Sequence, residues 1–304
     1  MGQRLKDRVA VVTGSGRGIG RGIAMLMAEE GAAVVVNDLG VSVDGRDASD
    51  TPAQQVVNEI VARGGRAVAN GDSVADFQAA ENILQTAVKE FGRVDILVNV
   101  AGILRDRMVF NLSEEDWDAV IAVHLKGTFN TVRHASRLMR EQKSGRIINF
   151  SSTSGLYGNS GQANYGAAKD GIAGLTRVVS RDLGKYGVTV NAIAPVAATR
   201  MTATVSDQAR AARSARGITA GAPLMPLRME ADDIAPFATY LATDSAATIN
   251  GQTFLVRGGV ISLLNYPAPA RTITKLDRWR PEEIAAIFPS TFGMDLANPA
   301  PKQD

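Results

Sequence analysis

The chain of 304 residues contains no cysteine and only two histidines, His124 and His134. Disulfides, thiolate metal sites and a cysteine nucleophile are therefore excluded, and so is a zinc site built from several histidines. We accordingly expect no metal centre. The formal net charge is only +2, and a surface so nearly balanced in charge does not favour nucleic acid as the main partner.

Long apolar runs are also missing. No segment reaches the roughly 20 consecutive apolar residues of a membrane helix. The first residues, MGQRLKDRVA, are polar and charged and have no apolar core of a secretory signal. We therefore expect a cytoplasmic protein that does not enter a membrane. With 45% hydrophobic residues, the chain can bury the core of one large domain or of two small ones.

Short apolar runs instead alternate with longer helical patterns. The runs are rich in Val and Ile and nearly continuously apolar, as parallel strands covered on both faces are. They predict seven strands, at Val9–Val12, Ala33–Asn37, Arg66–Asn70, Val94–Asn99, Arg146–Phe150, Val188–Ile193 and Thr253–Val256. Helical patterns lie between them, such as Gly18–Glu30. The alternation predicts an α/β fold with a single doubly wound (Rossmann) parallel sheet of about seven strands and helices on both faces.

A glycine-rich stretch, TGSGRGIG at residues 13–20, connects the first predicted strand to the first predicted helix. Glycines there permit a tight turn and let the backbone approach a diphosphate at the helix N-terminus. Asp38 ends the second strand, where a carboxylate accepts hydrogen bonds from a ribose diol and repels a 2′-phosphate. Asp38 therefore favours NAD as cofactor. Arg17, within the turn, could bind that phosphate, so NADP is the less favoured alternative.

Tyr165 precedes Lys169 by four residues in the stretch SGQANYGAAKDG. One helical turn places both side chains on the same face of a helix. A nearby ammonium favours the phenolate and would lower the pKa of the phenol from its free value of about 10. Taken alone, the pair could equally be two polar residues on an exposed helix.

These motifs together resemble the short-chain dehydrogenase/reductase family. The resemblance covers about residues 7–262 and rests on TGSGRGIG, on NVAG at 99–102, and on Ser152, Tyr165 and Lys169 in that order. Further stretches are similar to one branch of the family, the (3R)-hydroxyacyl-CoA dehydrogenase region of peroxisomal multifunctional enzyme type 2 and its bacterial relatives. They are VVVNDLG with the long polar loop after it, AGILRDRM, VHLKGTF, GNSGQANY and TRMT.

The resemblance implies a catalytic role for each of four residues. Tyr165 would exchange a proton with the substrate oxygen while hydride passes between carbon and nicotinamide, and Ser152 would hold that oxygen. Lys169 would lower the pKa of the phenol and orient the ribose hydroxyls. His124 stands where most members have a catalytic asparagine. Three interpretations of it stay open: a satisfied helix histidine, a residue that holds a water through its main chain, and a direct acid or base.

The resemblance also implies the cofactor contacts. They are expected at Gly14, Arg17, Gly18, Ile19, Gly20, Asp38, Asp72, Ser73, Asn99, Ala101, Gly102, Tyr165, Lys169, Pro195, Val196 and Thr199. Within this set the family pattern assigns Asp72 to the adenine. Thr199 would contact the carboxamide or the diphosphate.

The domain organisation follows from the same resemblance. Residues 1–262 would form the dehydrogenase domain, in which residues 197–233 cover the substrate, and 263–304 a C-terminal extension that packs on its own or a partner subunit. Pro281 could open a short helix in that extension. A homodimer or homotetramer is expected, joined through helices at about 113–140 and 163–186.

The expected function is NAD-dependent oxidation of a (3R)-hydroxyacyl thioester of the acyl-CoA class, as in the degradation of lipids or sterol side chains. Five arginines oppose the single acid Asp207 in residues 197–228, which suits an anionic substrate handle or, equally, a solvated helix face. They are Arg200, Arg210, Arg213, Arg216 and Arg228. Two alternatives remain: an NADPH-dependent reductase of 3-oxoacyl groups, sterols or small ketones, and a catalytically silent dinucleotide-binding scaffold.

Overall fold

The computed structural model describes residues 2–45, 52–197, 229–294 and 296. The described residues divide into two units, 2–197 with 229–264, and 265–296. Thr199 and the arginine-rich segment lie outside the described residues, as does part of the polar loop 39–50. Among the helices that are described, none is both long and apolar enough to cross a membrane.

The first unit is built on one sheet of eight strands in the order β3-β2-β1-β4-β5-β6-β7-β8. The strands are β1 Val9–Thr13, β2 Ala33–Asn37, β3 Arg66–Asn70, β4 Ile96–Asn99, β5 Gly145–Phe150, β6 Val188–Pro195, β7 Thr253–Arg257 and β8 Val260–Leu263. All neighbouring strands are parallel except β7 and β8. The prediction of a doubly wound parallel sheet is confirmed.

The antiparallel strand β8 was not among the predicted strands. Arg257 pairs with Val260, so Gly258 and Gly259 form a two-residue hairpin loop, and Gly258 has a φ of 47°. A Gly-Gly pair after a strand is a hairpin signal. The strand escaped prediction because it is only four residues long.

Helices cover both faces of the sheet. They are α1 Gly18–Glu29, α2 Pro52–Ala62, α3 Phe77–Phe91, α4 Glu114–Ile121, α5 Gly127–Gln142, α6 Thr153–Tyr157, α7 Ala163–Gly184 and α8 Ala235–Leu241. Alternate residues of the central strands point to opposite faces, so Val12 packs in one core with α1, α2 and α8, and Val11 packs in the other with α3, α5 and α7. Each fully buried Val, Ile or Leu contributes about 1.5–3 kcal/mol.

The order of the strands places the site. The chain runs outward from β1 through β2 to β3, then returns to β4 on the other side of β1. The crevice at the carboxyl ends of β1 and β4 is therefore the topological switch point, where ligands bind in open α/β sheets.

The second unit has one helix, α9 Pro281–Thr291, among its described residues, and the prediction that Pro281 opens a helix is confirmed. Glu283 closes its first turn by accepting from the backbone N–H of Arg280 at 2.9 Å and from Lys275 Nζ at 2.7 Å. Arg271 Nη1 donates to the carbonyl of Met294 at 2.7 Å. Polar contacts therefore order this unit, in which no described residue is fully buried.

Candidate active site

The glycine turn lies between β1 and α1 and is shaped by two close backbone approaches. Gly14 has a φ of 63°, and a Cβ there would lie 2.6 Å from the Cα of Ala101. A Cβ on Gly20 would lie 2.2 Å from the carbonyl oxygen of Gly14. Gly18 has a φ of 53° and faces open space, since a Cβ there would meet nothing within 4 Å in the described structure. The turn thus packs against the residues that follow β4 on one side and leaves room for a ligand on the other.

The N-terminus of α1 opens into that room. Within the described part of the chain, Arg17 at the N-cap position makes no capping hydrogen bond through its side chain, and Ile19 and Gly20 follow in the first turn. The free backbone N–H groups and the helix dipole suit a diphosphate. The turn therefore fits a dinucleotide.

Asp38 follows β2 and is half-buried. Its carboxylate accepts from the backbone N–H of Gly16 at 2.9 Å and of Gly40 at 2.8 Å. An ionised carboxylate has about four lone-pair sites, so two such bonds leave acceptors for a ribose diol. Asp38 also fixes the glycine turn, a second role that the sequence did not indicate.

Asp72 and Ser73 lie in the loop after β3. Asp72 accepts through its side chain from Asn70 Nδ2 at 2.9 Å and through its carbonyl from Asn37 Nδ2 at 2.9 Å. The Ser73 hydroxyl accepts from the backbone N–H of Ala75 at 3.2 Å. These bonds order the loop beside the end of β2, on the side of the crevice where the adenine is expected.

Asn99 ends β4 and points into the core. Its amide donates to Asn149 Oδ1 at 2.9 Å and accepts from the Thr131 hydroxyl at 2.7 Å. The side chain therefore ties β4 to β5 and α5, and a cofactor contact by this residue would have to use its main chain. Ala101 and Gly102 follow it, and Ala101 lies directly beneath the glycine turn.

Pro195 and Val196 stand at the end of β6. The backbone N–H of Val196 donates to the carbonyl of Val256 at 2.8 Å, so β7 fixes this end of the strand. Pro195 and Val196 are half-buried at the same edge of the sheet as the glycine turn.

Ser152, Tyr165 and Lys169 come together beyond β5. Ser152 caps α6 by accepting from the backbone N–H of Ser154 at 3.1 Å, and its hydroxyl acts to lower the pKa of Tyr165. Tyr165 and Lys169 share one face of α7, with Lys169 Nζ 5.6 Å from the centre of the Tyr165 ring. Lys169 Nζ donates to the carbonyl of Phe150 at 2.6 Å. The structure thus places a hydroxyl, a phenol and an ammonium side by side.

Burial controls the acidity of this group. It raises the pKa of Tyr165 to about 12, an effect that the Ser152 hydrogen bond reduces and the charge of Asp106 increases. Burial also lowers the pKa of Lys169 to about 7. The sequence predicted a lowered phenol pKa; in this structure desolvation of the phenolate outweighs the neighbouring ammonium.

His124 lies in the π-helical turn Ala122–Lys126 that joins α4 to α5. Its side chain is 1% exposed, and Nε2 lies 2.8 Å from the carbonyl oxygen of Ile103. Burial, followed by the charge of Lys169, lowers the pKa of His124 to about 3. The imidazole is neutral at physiological pH, so it holds no proton to donate as an acid there.

Two residues near Tyr165 were missed from the sequence, Asp106 and Gln162. Gln162 Nε2 donates to Asp106 Oδ2 at 2.7 Å, and the charge of Asp106 acts on the phenol. Gln162 precedes α7 and also pairs through its backbone with Arg107. Both residues lie in stretches, AGILRDRM and GNSGQANY, that indicated the family resemblance but gave no role to Asp106 or Gln162.

The assembled site lies at the carboxyl ends of the central strands, with the Tyr165 phenol at one end of it. The glycine turn, Asp38 and the edge of β4 line one part, and Ser152, Tyr165 and Lys169 line the other. No cluster of three His, Asp or Glu side chains suited to a metal ion occurs among the described residues. Such a site defines a class of protein, the α/β oxidoreductases that use a nicotinamide dinucleotide.

Comparison with known proteins gives the family. The profile of the short chain dehydrogenase family matches residues 8–210. The chain belongs to the short-chain dehydrogenase family and is an oxidoreductase that acts on CH–OH groups with a nicotinamide dinucleotide.

Curated sequences and solved structures are similar to it over most of its length. Hydroxyacyl-CoA dehydrogenase ChsB1 from Mycobacterium tuberculosis is 41% identical over 303 residues, covering 95% of this chain and 89% of that protein. A 3-oxoacyl-[acyl-carrier-protein] reductase from Synechocystis is 43% identical over 259 residues, covering 84% of this chain and 98% of that protein. The crystal structure of a short chain dehydrogenase from Mycobacterium avium superposes with a TM-score of 0.81, at 44% identity and 98% coverage of both chains.

Longer eukaryotic proteins also match. Peroxisomal multifunctional enzyme type 2 from Drosophila melanogaster is 53% identical over 199 residues, which cover 66% of this chain and 33% of that protein. The chain spans only 29% of a second peroxisomal relative, the hydratase-dehydrogenase-epimerase from Neurospora crassa. The resemblance to the multifunctional-enzyme branch is confirmed.

Proposed function

We propose that this chain oxidises a (3R)-hydroxyacyl thioester of the acyl-CoA class to the 3-oxo form, with NAD as hydride acceptor. The observation that carries the chemistry is the juxtaposition of Ser152, Tyr165 and Lys169 at the crevice that the glycine turn opens. The similarity to a protein named hydroxyacyl-CoA dehydrogenase over 95% of this chain supports the choice of substrate class.

The reaction removes a hydride from carbon and a proton from oxygen. A bound nicotinamide, when present, accepts the hydride. Ser152 holds the substrate hydroxyl, and Tyr165 takes its proton as the C–H bond breaks. Lys169 supplies positive charge beside the phenol and has spare N–H donors for ribose hydroxyls. In the reverse direction Tyr165 returns the proton to the carbonyl oxygen.

Asp38 supports NAD over NADP. Its negative charge would repel a 2′-phosphate on a ribose bound beside it. The two backbone N–H groups of Gly16 and Gly40 hold the carboxylate in place.

The proposal is tested by following the absorbance of the reduced nicotinamide with NAD or NADP, and with a (3R)-hydroxyacyl-CoA or its (3S) isomer. We expect turnover confined to NAD and the (3R) thioester. Turnover of the (3S) isomer at an equal rate would contradict the assigned stereochemistry.

Replacement of Tyr165 by Phe tests the mechanism. Loss of the proton acceptor should lower kcat by about 10²- to 10⁴-fold, because the phenyl ring keeps its place but has no hydroxyl. Titration with NAD should show unchanged affinity. Full activity of the variant would overturn the assignment of Tyr165.

A second candidate function is an NADPH-dependent reductase of 3-oxoacyl groups. It is favoured by Arg17 in the glycine turn and by the similarity to the Synechocystis reductase. Inactivity with both hydroxyacyl-CoA isomers, together with oxidation of NADPH by a 3-oxoacyl thioester, a sterol or a small ketone, would establish it. Dinucleotide binding without any turnover would instead indicate a silent scaffold.

A further inference from the structure

His124 contacts two different parts of the site through one ring. Nε2 lies 2.8 Å from the carbonyl oxygen of Ile103 and 3.1 Å from its backbone nitrogen. The ring meets that of Tyr165 edge to face, with centroids 5.1 Å apart and planes at 88°. The same imidazole therefore connects the loop after β4 to the phenol of α7.

Gly102 is fitted to this ring. A Cβ on Gly102 would lie 2.2 Å from Cε1 of His124 and 3.0 Å from each ring nitrogen. Backbone conformation does not explain the glycine, because Gly102 is not among the positive-φ residues. The imidazole of His124 thus occupies the space that a side chain at position 102 would need.

Stability alone does not explain the imidazole. Nδ1 is buried and has no hydrogen-bond partner among the described residues, an arrangement that costs free energy and calls for another reason. Its pKa of about 3 leaves no imidazolium to donate a proton at neutral pH. The neutral ring can still hold the residues that it contacts in place.

We propose that His124 is a positioning residue. Its neutral imidazole, held by Ile103 and fitted against Gly102, sets where the Tyr165 phenol stands relative to the loop Val100–Ile103. The inference rests on the proposed function, in which that loop contacts the dinucleotide and Tyr165 contacts the substrate. His124 itself transfers no proton.

A double-mutant cycle tests the fit. Gly102→Ala, His124→Asn and the double variant are compared with the unmodified chain by NAD affinity and by the midpoint of thermal unfolding. Asparagine lacks the atom that the new Cβ would strike. We expect Gly102→Ala alone to weaken NAD binding about tenfold and to lower the midpoint. The same change should cost little in the His124→Asn background, because residues in contact couple.

Kinetics of the single variant test the positioning. His124→Asn should lower kcat by about 10- to 100-fold, since small displacements of a reacting group are costly, while NAD affinity stays within about twofold. His134→Asn is the matched control, because His134 is also buried but packs on Phe77, 4.4 Å between ring centroids. It should lower the unfolding midpoint and leave kcat unchanged.

Two results would overturn the inference: equal costs of Gly102→Ala in both backgrounds, or a kcat for His124→Asn equal to that of the unmodified chain. If His124→Asn does not fold, His124→Gln takes its place with the same expectations. Failure of the proposed function has a different signature. The unmodified chain would then turn over no thioester, whereas the cycle in NAD affinity and unfolding would still decide whether residues 102 and 124 are coupled.

Discussion

Single residues in this site take their properties from burial. Lys169 is buried and Tyr165 half-buried, and each is displaced toward its neutral form, the phenol with a pKa of about 12 and the lysine with one of about 7. A positive charge brought beside the phenol would lower the pKa of Tyr165. Without a ligand the Tyr165 phenol therefore stays protonated at neutral pH, and a bound cation would favour the phenolate.

Asp106 is expected to shape the pH dependence of the reaction. Its carboxylate raises the pKa of Tyr165, and oxidation needs the phenolate, so the rate should rise with pH through that pKa. Asp106→Asn removes the charge and lowers the phenol pKa. The rising limb of kcat/KM against pH should move to lower pH, whereas Asp106→Glu should leave it in place. A shift to higher pH would contradict this.

Asp38 is expected to govern cofactor choice. Replacement by Asn removes the charge but keeps one oxygen for the backbone donors. Since a hydrogen bond to a charged group is worth about 1.5–3 kcal/mol, the Kd for NAD should rise by roughly 10- to 100-fold. The ratio of the Kd for NADP to the Kd for NAD should fall. Isothermal titration with both dinucleotides measures this, and an unchanged preference would show that Arg17 decides instead.

At the scale of elements, the parallel strands are joined by side chains as well as by their ladders. Asn99 links β4 to β5 and α5 from the carboxyl end. Asp95 precedes β4 at the opposite end and links it to β1. It accepts from the backbone N–H of Val9 at 2.9 Å and from Arg93 Nη2 at 2.6 Å. Both are buried polar groups with satisfied hydrogen bonds, which fix the register of neighbouring elements.

Asp95→Ala should destabilise the fold. The carboxylate is 1% exposed, and its removal leaves a buried backbone N–H at Val9 without an acceptor, at a cost of about 1–3 kcal/mol. The free energy from urea unfolding should fall by that amount. The free energy of unfolding should fall by less in Asp95→Asn, which retains an oxygen acceptor. Equal stability of Asp95→Ala and the unmodified chain would show that β1 and β4 do not depend on this link.

At the scale of the whole molecule, the assembly remains a prediction. The family resemblance implies a homodimer or homotetramer through the helices at about 113–140 and 163–186. Three large apolar side chains are exposed on those helices, Trp117 at 39%, Phe129 at 46% and Val178 at 58%. Apolar groups left on the two predicted faces are consistent with burial against a second copy.

The double variant Phe129→Glu with Val178→Glu should lower the molar mass measured by light scattering, because two buried charges at an interface are costly. Val61→Glu is the matched control, since Val61 is 54% exposed on α2, outside the predicted helices. It should leave the mass unchanged. An unchanged mass of the double variant would exclude this interface.

The sequence predicted the parallel sheet, the helix that Pro281 opens and the placement of Tyr165 beside Lys169. The strand and helix assignments behind these predictions depend on residues close together in the chain, where φ/ψ preferences and side-chain periodicity act. The strand β8 also had a local signal, the Gly258-Gly259 loop, but its four residues are too few to show a periodicity. The roles assigned to individual site residues stay predictions.

Only the tertiary structure decided which distant residues meet and how deeply they are buried. It brought Asp106 to Tyr165, turned the Asn99 amide into the core, and set the His124 ring against Gly102. It also reversed the expected direction of the phenol pKa. The physical reason is that desolvation and long-range hydrogen bonds depend on the packed surroundings of a group, whereas the turn TGSGRGIG and the spacing of Tyr165 and Lys169 depend on the local backbone alone.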